Sequence, residues 1–177
     1  MSRKLFLAFL VLFGMTAVAC VSDDEDVPEW SDADNQVTAD EQAADMELDQ
    51  MLSDGKADSA LTYTAVARLA RNAGISCSGS RIATAVAVAK AESGFKPTIT
   101  NTAGNAHGID RGLWQINSYW HPEVSAACAL SASCNARAAA RISTWGRYWS
   151  QWWTYKNGKH LPYMSQARAA QDIVCAE

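Results

Sequence analysis

Apolar positions divide this chain into three stretches. Between Leu5 and Val18 they run almost unbroken, between Val21 and Ala60 they are sparse among acids, and from Leu61 to Glu177 they recur at helical spacing. In the last stretch Val66, Leu69, Ala70 and Ala73 predict a helix over Leu61 to Ala73, with Gly74 as its stop. Ser78 or Ser80 can cap the next helix, from Arg81 to Ala91, whose alanines favour close packing. Pro97 excludes helix beyond it. The segment Thr98 to Asn117, carrying Gly104, Gly108 and Gly112, predicts loops and a small antiparallel hairpin. Pro122 can open a short helix to Cys128, another covers Asn135 to Ile142, and Pro162 can open the last, Tyr163 to Val174. The expected class is α+β, mainly α, and no repeat is present.

The first stretch follows Arg3 and Lys4 and is shorter than the roughly 20 residues a membrane span needs. It has the charge, apolar core and small residues of a secretory signal, residues 1–19. Its end, Ala17-Val18-Ala19-Cys20, resembles a bacterial lipobox, with Ala17 where leucine is usual. The resemblance implies that Cys20 becomes a lipid-bearing N-terminus held in a membrane of the cell envelope. Ser22 is similar to the residue at that place in lipoproteins passed to an outer membrane. The alternative is an ordinary cleaved signal with an incidental Cys20.

Charge separates the other two stretches. Fourteen of the nineteen acids fall between Val21 and Ala60 against one base, Lys56. Residues 20–60 are therefore expected to be a self-repelling, extended tether. A helix over Ala39 to Leu52, with Met46, Leu48, Met51 and Leu52, could dock on the domain; an acidic internal inhibitor or a calcium site are the functional alternatives. Residues 61–177 carry twelve bases and five acids, a net of +7 hidden by the chain-wide −4. Such a domain is attracted to anionic polymers. Carboxylate-bearing cell-wall glycan suits an exported chain, and no nucleic-acid-binding signature is present.

The chemistry concentrates in Ala91 to Trp120. Breaking a glycosidic bond near neutral pH needs a carboxyl group that keeps its proton for the leaving oxygen and a carboxylate that answers the charge developing on the sugar. Glu92 follows the apolar run Ile82 to Ala91, whose burial would raise its pKa, and Gly94 can end its helix. Asp110, beside Arg111 in a polar turn, is the expected charged partner. Glu92-Ser93-Gly94-Phe95 followed by Asp110-Arg111-Gly112-Leu113-Trp114-Gln115-Ile116-Asn117-Ser118-Tyr119-Trp120 resembles the lysozyme-like superfamily, which includes the C-type lysozymes and the soluble lytic transglycosylases. Thr154-Tyr155-Lys156-Asn157-Gly158 is similar to a loosened Ala-Tyr-Asn-Ala-Gly box of the transglycosylases, with Lys156 in place of its asparagine. The likeness spans roughly Leu61 to Cys175.

That resemblance implies a lysozyme-like fold, a helical domain with a small β-hairpin region beside a cleft, acting as a monomer without cofactor or metal. It implies a β-1,4 bond after N-acetylmuramic acid as the target and Glu92 as general acid. A hydrolase would use Asp110 as nucleophile or charge stabiliser; a lytic transglycosylase would let the sugar's 6-hydroxyl attack and return its proton to Glu92. Eighteen residues separate the two acids, one more than in the C-type pattern, so Asp110 can also be read as a structural acid paired with Arg111. Gln115, Asn117 and Tyr155 are expected at the sugar, and Ser93 supports Glu92 or caps local backbone. One or two of the domain's six tryptophans would stack on sugar and most would be core or half-buried. The histidines lack a nucleophile partner. The alternative function is a non-catalytic peptidoglycan-binding envelope lipoprotein.

Setting Cys20 aside leaves Cys77, Cys128, Cys134 and Cys175, an even set that permits three pairings in an exported chain. The expected pairs are Cys128 with Cys134, a local loop, and Cys77 with Cys175, tying the start of the domain to its last helix. A zinc site is the competing reading, and no Cys-x-x-Cys pair supports it.

Overall fold

A computed structural model describes residues 60–102 and 107–177. The signal segment, Cys20, the acidic tether and the expected helix at 39–52 lie outside the described residues.

Helix α1, Tyr63–Asn72, starts where the Thr62 hydroxyl accepts the Ala65 N–H at 3.1 Å. It buries Val66, Ala67, Leu69 and Ala70, and the chain leaves it through Gly74 at φ +89°. Helix α2, Arg81–Ser93, is apolar around most of its circumference and is accordingly the central element, with Ile82, Ala83 and Ala85 to Ala89 all buried. Its small side chains let α1 and the last helix approach closely.

Two expectations about α2 need correction. Neither serine caps it through its side chain: Ser80 stands at the N-cap without a hydrogen bond to the helix, and the Ser78 hydroxyl pairs with that of Ser76. The buried Gln171 caps it instead, accepting the Ala83 N–H at 2.8 Å and donating to Gly79 O at 2.7 Å. The helix also runs two residues beyond Ala91, so Glu92 lies in its last turn and Gly94, at φ +63°, ends it.

Three two-residue strands follow, β1 Thr100–Asn101, β2 Asp110–Arg111 and β3 Ile116–Asn117. They form one antiparallel sheet in the order β1-β2-β3, a third strand more than the expected hairpin, and Asp110 sits on a strand rather than in a turn. In the register Asp110 faces Asn117 and Arg111 faces Ile116.

Pro122 opens a turn, not a helix. Helix α3, Ala126–Leu130, begins at Ser125, whose hydroxyl accepts the Cys128 N–H at 3.2 Å. Helix α4, Ala132–Ile142, begins three residues before Asn135, capped by Ser131. A one-turn helix α5, Trp153–Lys156, has no counterpart among the expected elements. After the 3-10 turn Leu161–Tyr163, with Pro162 in its first turn, helix α6 runs Met164–Cys175 and packs on α1 and α2. The disulfides are Cys77–Cys175 and Cys128–Cys134, as expected. Among the described residues no helix is long and apolar enough to cross a membrane.

Candidate active site

Three segments are tied together at the site: α2, which carries Glu92 in its last turn, the β2–β3 turn, and α5. They are joined by two buried indoles. Trp114, with no exposed surface, donates Nε1–H to Ala85 O of α2 at 2.9 Å. Trp152 donates Nε1–H to Trp114 O at 2.7 Å, so the residues leading into α5 are tied through the β2–β3 turn to the helix that carries Glu92.

The turn is held by amide side chains, because two-residue strands supply few ladder bonds of their own. Asn135 of α4, fully buried, accepts the Trp114 N–H at 2.9 Å and donates to Ala129 O at 2.9 Å and Arg111 O at 3.1 Å. Gly112, at φ +76°, lies against the same group: a Cβ there would fall 2.0 Å from Ala129 O and 2.6 Å from Asn135 Nδ2. Gln115 is held at φ +48°, a strained value for a residue with a side chain, and its Nε2 donates to Gly112 O at 2.8 Å and Ile99 O at 3.3 Å.

Glu92 is partly buried. Burial pushes its carboxyl pKa above the ordinary value, hydrogen bonds from the Thr154 hydroxyl and backbone pull it down, and the charge of Asp110 pushes it up, with the net shift upward. The C-terminal turn is also the negative end of the helix dipole, which further disfavours the carboxylate. The Thr154 hydroxyl donates to Glu92 Oε1 at 2.5 Å. Asp110 accepts from Asn117 Nδ2 at 2.7 Å across the β2–β3 pair.

Asn117 is saturated. Its Nδ2 also donates to His107 O at 3.0 Å, and its Oδ1 accepts the N–H groups of Tyr119 at 2.9 Å and Trp120 at 3.3 Å. Its amide therefore orients Asp110 and the turn. Ser93 is buried with its hydroxyl engaged by backbone, donating to Ala89 O and accepting from Phe95 N–H. Tyr155 stacks on His160 with ring centroids 4.6 Å apart. The residue of that box in contact with Glu92 is the preceding Thr154.

A cavity of about 420 Å³ is lined by Gln115, Ile116, Asn117, Trp120, His121, Ile142, Gln151 and Trp152. Glu92 and Asp110 are not in its wall; Asn117, which is, donates to Asp110. Of the domain's tryptophans, Trp114, Trp149 and Trp152 are buried, while Trp120, Trp145 and Trp153 are exposed, Trp120 at the cavity edge. Among the described residues no group of three His, Cys, Asp or Glu side chains stands together to hold a metal ion.

Asn135 and Thr154 were not among the sequence candidates. Asn135 did carry a signal, a poor helix former on the apolar face shared by Ala132 and Ala139. Thr154 stands in a box already singled out, one place before its tyrosine.

In comparisons with known proteins, a family model described as a lysozyme-like domain matches residues 66–154, which include Glu92, Asp110, Gln115, Asn117 and Thr154. No curated protein and no solved structure matches the chain.

Proposed function

The chain belongs to the lysozyme-like domain family, and from that premise we propose that it is a muramidase that cleaves peptidoglycan at the β-1,4 bond between N-acetylmuramic acid and N-acetylglucosamine. Glu92 is the general acid. The observation that carries this reading is the environment of its carboxyl group: partial burial at a helix end with Asp110 nearby favours a retained proton, and hydrogen bonds from Thr154 keep the carboxylate accessible for the return step.

The acetal then cleaves as Glu92 protonates the glycosidic oxygen and the C–O electron pair leaves with it. Asp110, oriented by Asn117, is suited to stabilise or trap the positive sugar, which favours hydrolysis. Attack by the sugar's own 6-hydroxyl is the transglycosylase route, supported by the resemblance of residues 154–158. The cavity walled by Gln115, Trp120 and Gln151 is the candidate seat for neighbouring sugars. In the same reading Cys20 carries lipid and holds the domain at the cell envelope by the acidic tether.

Purified peptidoglycan digested with the full chain, with products identified by mass spectrometry, tests the proposal. Release of muropeptides that falls about 10²–10⁴-fold in Glu92→Gln is expected for loss of a general acid. Ordinary reducing ends identify a hydrolase and make Asp110→Asn similarly damaging; 1,6-anhydro ends identify a transglycosylase and leave Asp110 a supporting role. A folded chain that binds glycan and releases nothing would instead be a binding module.

A further inference from the structure

Resting on the reading of Glu92 as general acid, we propose that Thr154 is a positioning residue whose hydroxyl engages Glu92 Oε1 and thereby assigns proton delivery to Oε2. The hydroxyl has one proton, and it donates it to Oε1 at 2.5 Å. For Oε1 to hold the acid proton instead, the hydroxyl would have to rotate and become the acceptor. The side chain stands in fixed relation to Glu92, since Trp152, at the start of α5, is bonded to Trp114 and Trp114 to Ala85 of α2. The transglycosylase box that residues 154–158 resemble has alanine at this place, which offers no hydroxyl.

The consequence for the reaction follows from charge. When the proton leaves Oε2 for the glycosidic oxygen, the bond from Thr154 becomes charge-assisted and strengthens. It therefore stabilises the transition state more than the ground state, in which Glu92 is neutral. In the second half-reaction Oε2 takes a proton from the attacking water or hydroxyl, and the bond relaxes. Burial and Asp110 oppose ionisation of Glu92, and Thr154 offsets part of that opposition. Among the ionisable groups, Asp110, on β2, is the one whose charge registers on Glu92. Lys90 of α2 itself lies over the rings of Tyr63 and Phe95, and Tyr155 and His160 stack on each other.

Thr154→Val keeps the shape and the backbone N–H and removes the hydroxyl. With the full chain on peptidoglycan, kcat should fall about 10-fold to 100-fold, the range for a hydrogen bond to a charged group, with KM unchanged. The basic limb of the kcat/KM profile should move to higher pH, and Thr154→Ser should restore both. An unmoved limb, or a serine variant as impaired as the valine, overturns the proposal. If the valine variant loses its cooperative unfolding transition, Thr154→Ala carries the same expectation. A carboxyl ¹³C titration of the full chain, with Glu92 assigned by its loss in Glu92→Gln, reads the shift without turnover; an unchanged midpoint in Thr154→Val also overturns the proposal. Glu92→Gln with wild-type turnover would sink the underlying reading of Glu92, whereas an inactive Glu92→Gln beside a wild-type-like Thr154→Val would sink only the role of Thr154.

Discussion

The helical half of the domain and the sheet with its turn are built on different principles. In α1, α2 and α6, order comes from burial of many small apolar side chains, and each neighbour is replaceable by another of similar volume. In the three short strands and the β2–β3 turn, six strand residues cannot sustain themselves, and a few amides, Asn135, Asn117 and Gln115, bond to particular backbone atoms. The first half distributes its stabilisation over many contacts, so it is expected to tolerate substitution better than the second, where a few bonds carry the turn.

The largest test of this contrast is on the helical side. Replacing Cys77 and Cys175 by alanine opens a loop of separation 98 and should lower the unfolding free energy by about 4–5 kcal/mol in urea titrations, acting mainly through the unfolded chain. The Cys128–Cys134 pair, of separation 6, should contribute about 2 kcal/mol by the same reasoning. If the short loop matters more than the long one, the Cys128–Cys134 bridge acts through native packing of the α3–α4 corner rather than through chain entropy.

Asn135→Ala comes next. It leaves the Trp114 N–H and two carbonyls without their partner, and a loss of about 3 kcal/mol is expected, with disproportionate loss of peptidoglycan cleavage. A loss below about 1 kcal/mol, the net worth of one ordinary hydrogen bond, would break the contrast between the two halves.

Glu92→Gln should act with the opposite sign on stability. Because the folded-state pKa of Glu92 is raised, the folded protein binds its proton more tightly than the unfolded chain, and stability falls as pH rises from the ordinary carboxylate value through the raised one. The glutamine variant should therefore melt higher than wild type at pH 7 and show no gain below that window, as read by calorimetry across pH. The smallest effect is expected from Glu177→Gln at the chain end, where Arg68 and Arg71 hold the carboxyl pKa below its ordinary value. The stability it contributes is present above the ordinary carboxylate value and lost as pH falls through the lowered one. Being solvent-exposed, it should fade in high salt.

Much of the helical half was legible in the sequence, since burial on a 3.6-residue period leaves a periodic trace, as in Val66, Leu69 and Ala70. Gly74 and Gly94 marked helix ends because left-handed backbone selects glycine. The acid at position 92 and its box were readable for the same reason, being local. The third strand, the helix at 153–156 and the start of α4 were not, because segments of two to five residues carry too little pattern. The cap of α2 was misread at Ser80, since Gln171, 88 residues beyond Ala83, supplies it.

By itself, then, the sequence determined the class of fold, an even set of four cysteines in the domain, the charge division at residue 60 and the box in which Glu92 stands. These depend on composition, periodicity and neighbours along the chain. The tertiary structure alone decided that Asn117 serves Asp110 and the turn, that Asn135 holds the site, and that Thr154 meets Glu92 from 62 residues away. A hydrogen bond between distant residues depends on positions to within tenths of an ångström, which strand register sets for Asp110 and Asn117 and the bonds of Trp114 and Trp152 help set for Glu92 and Thr154.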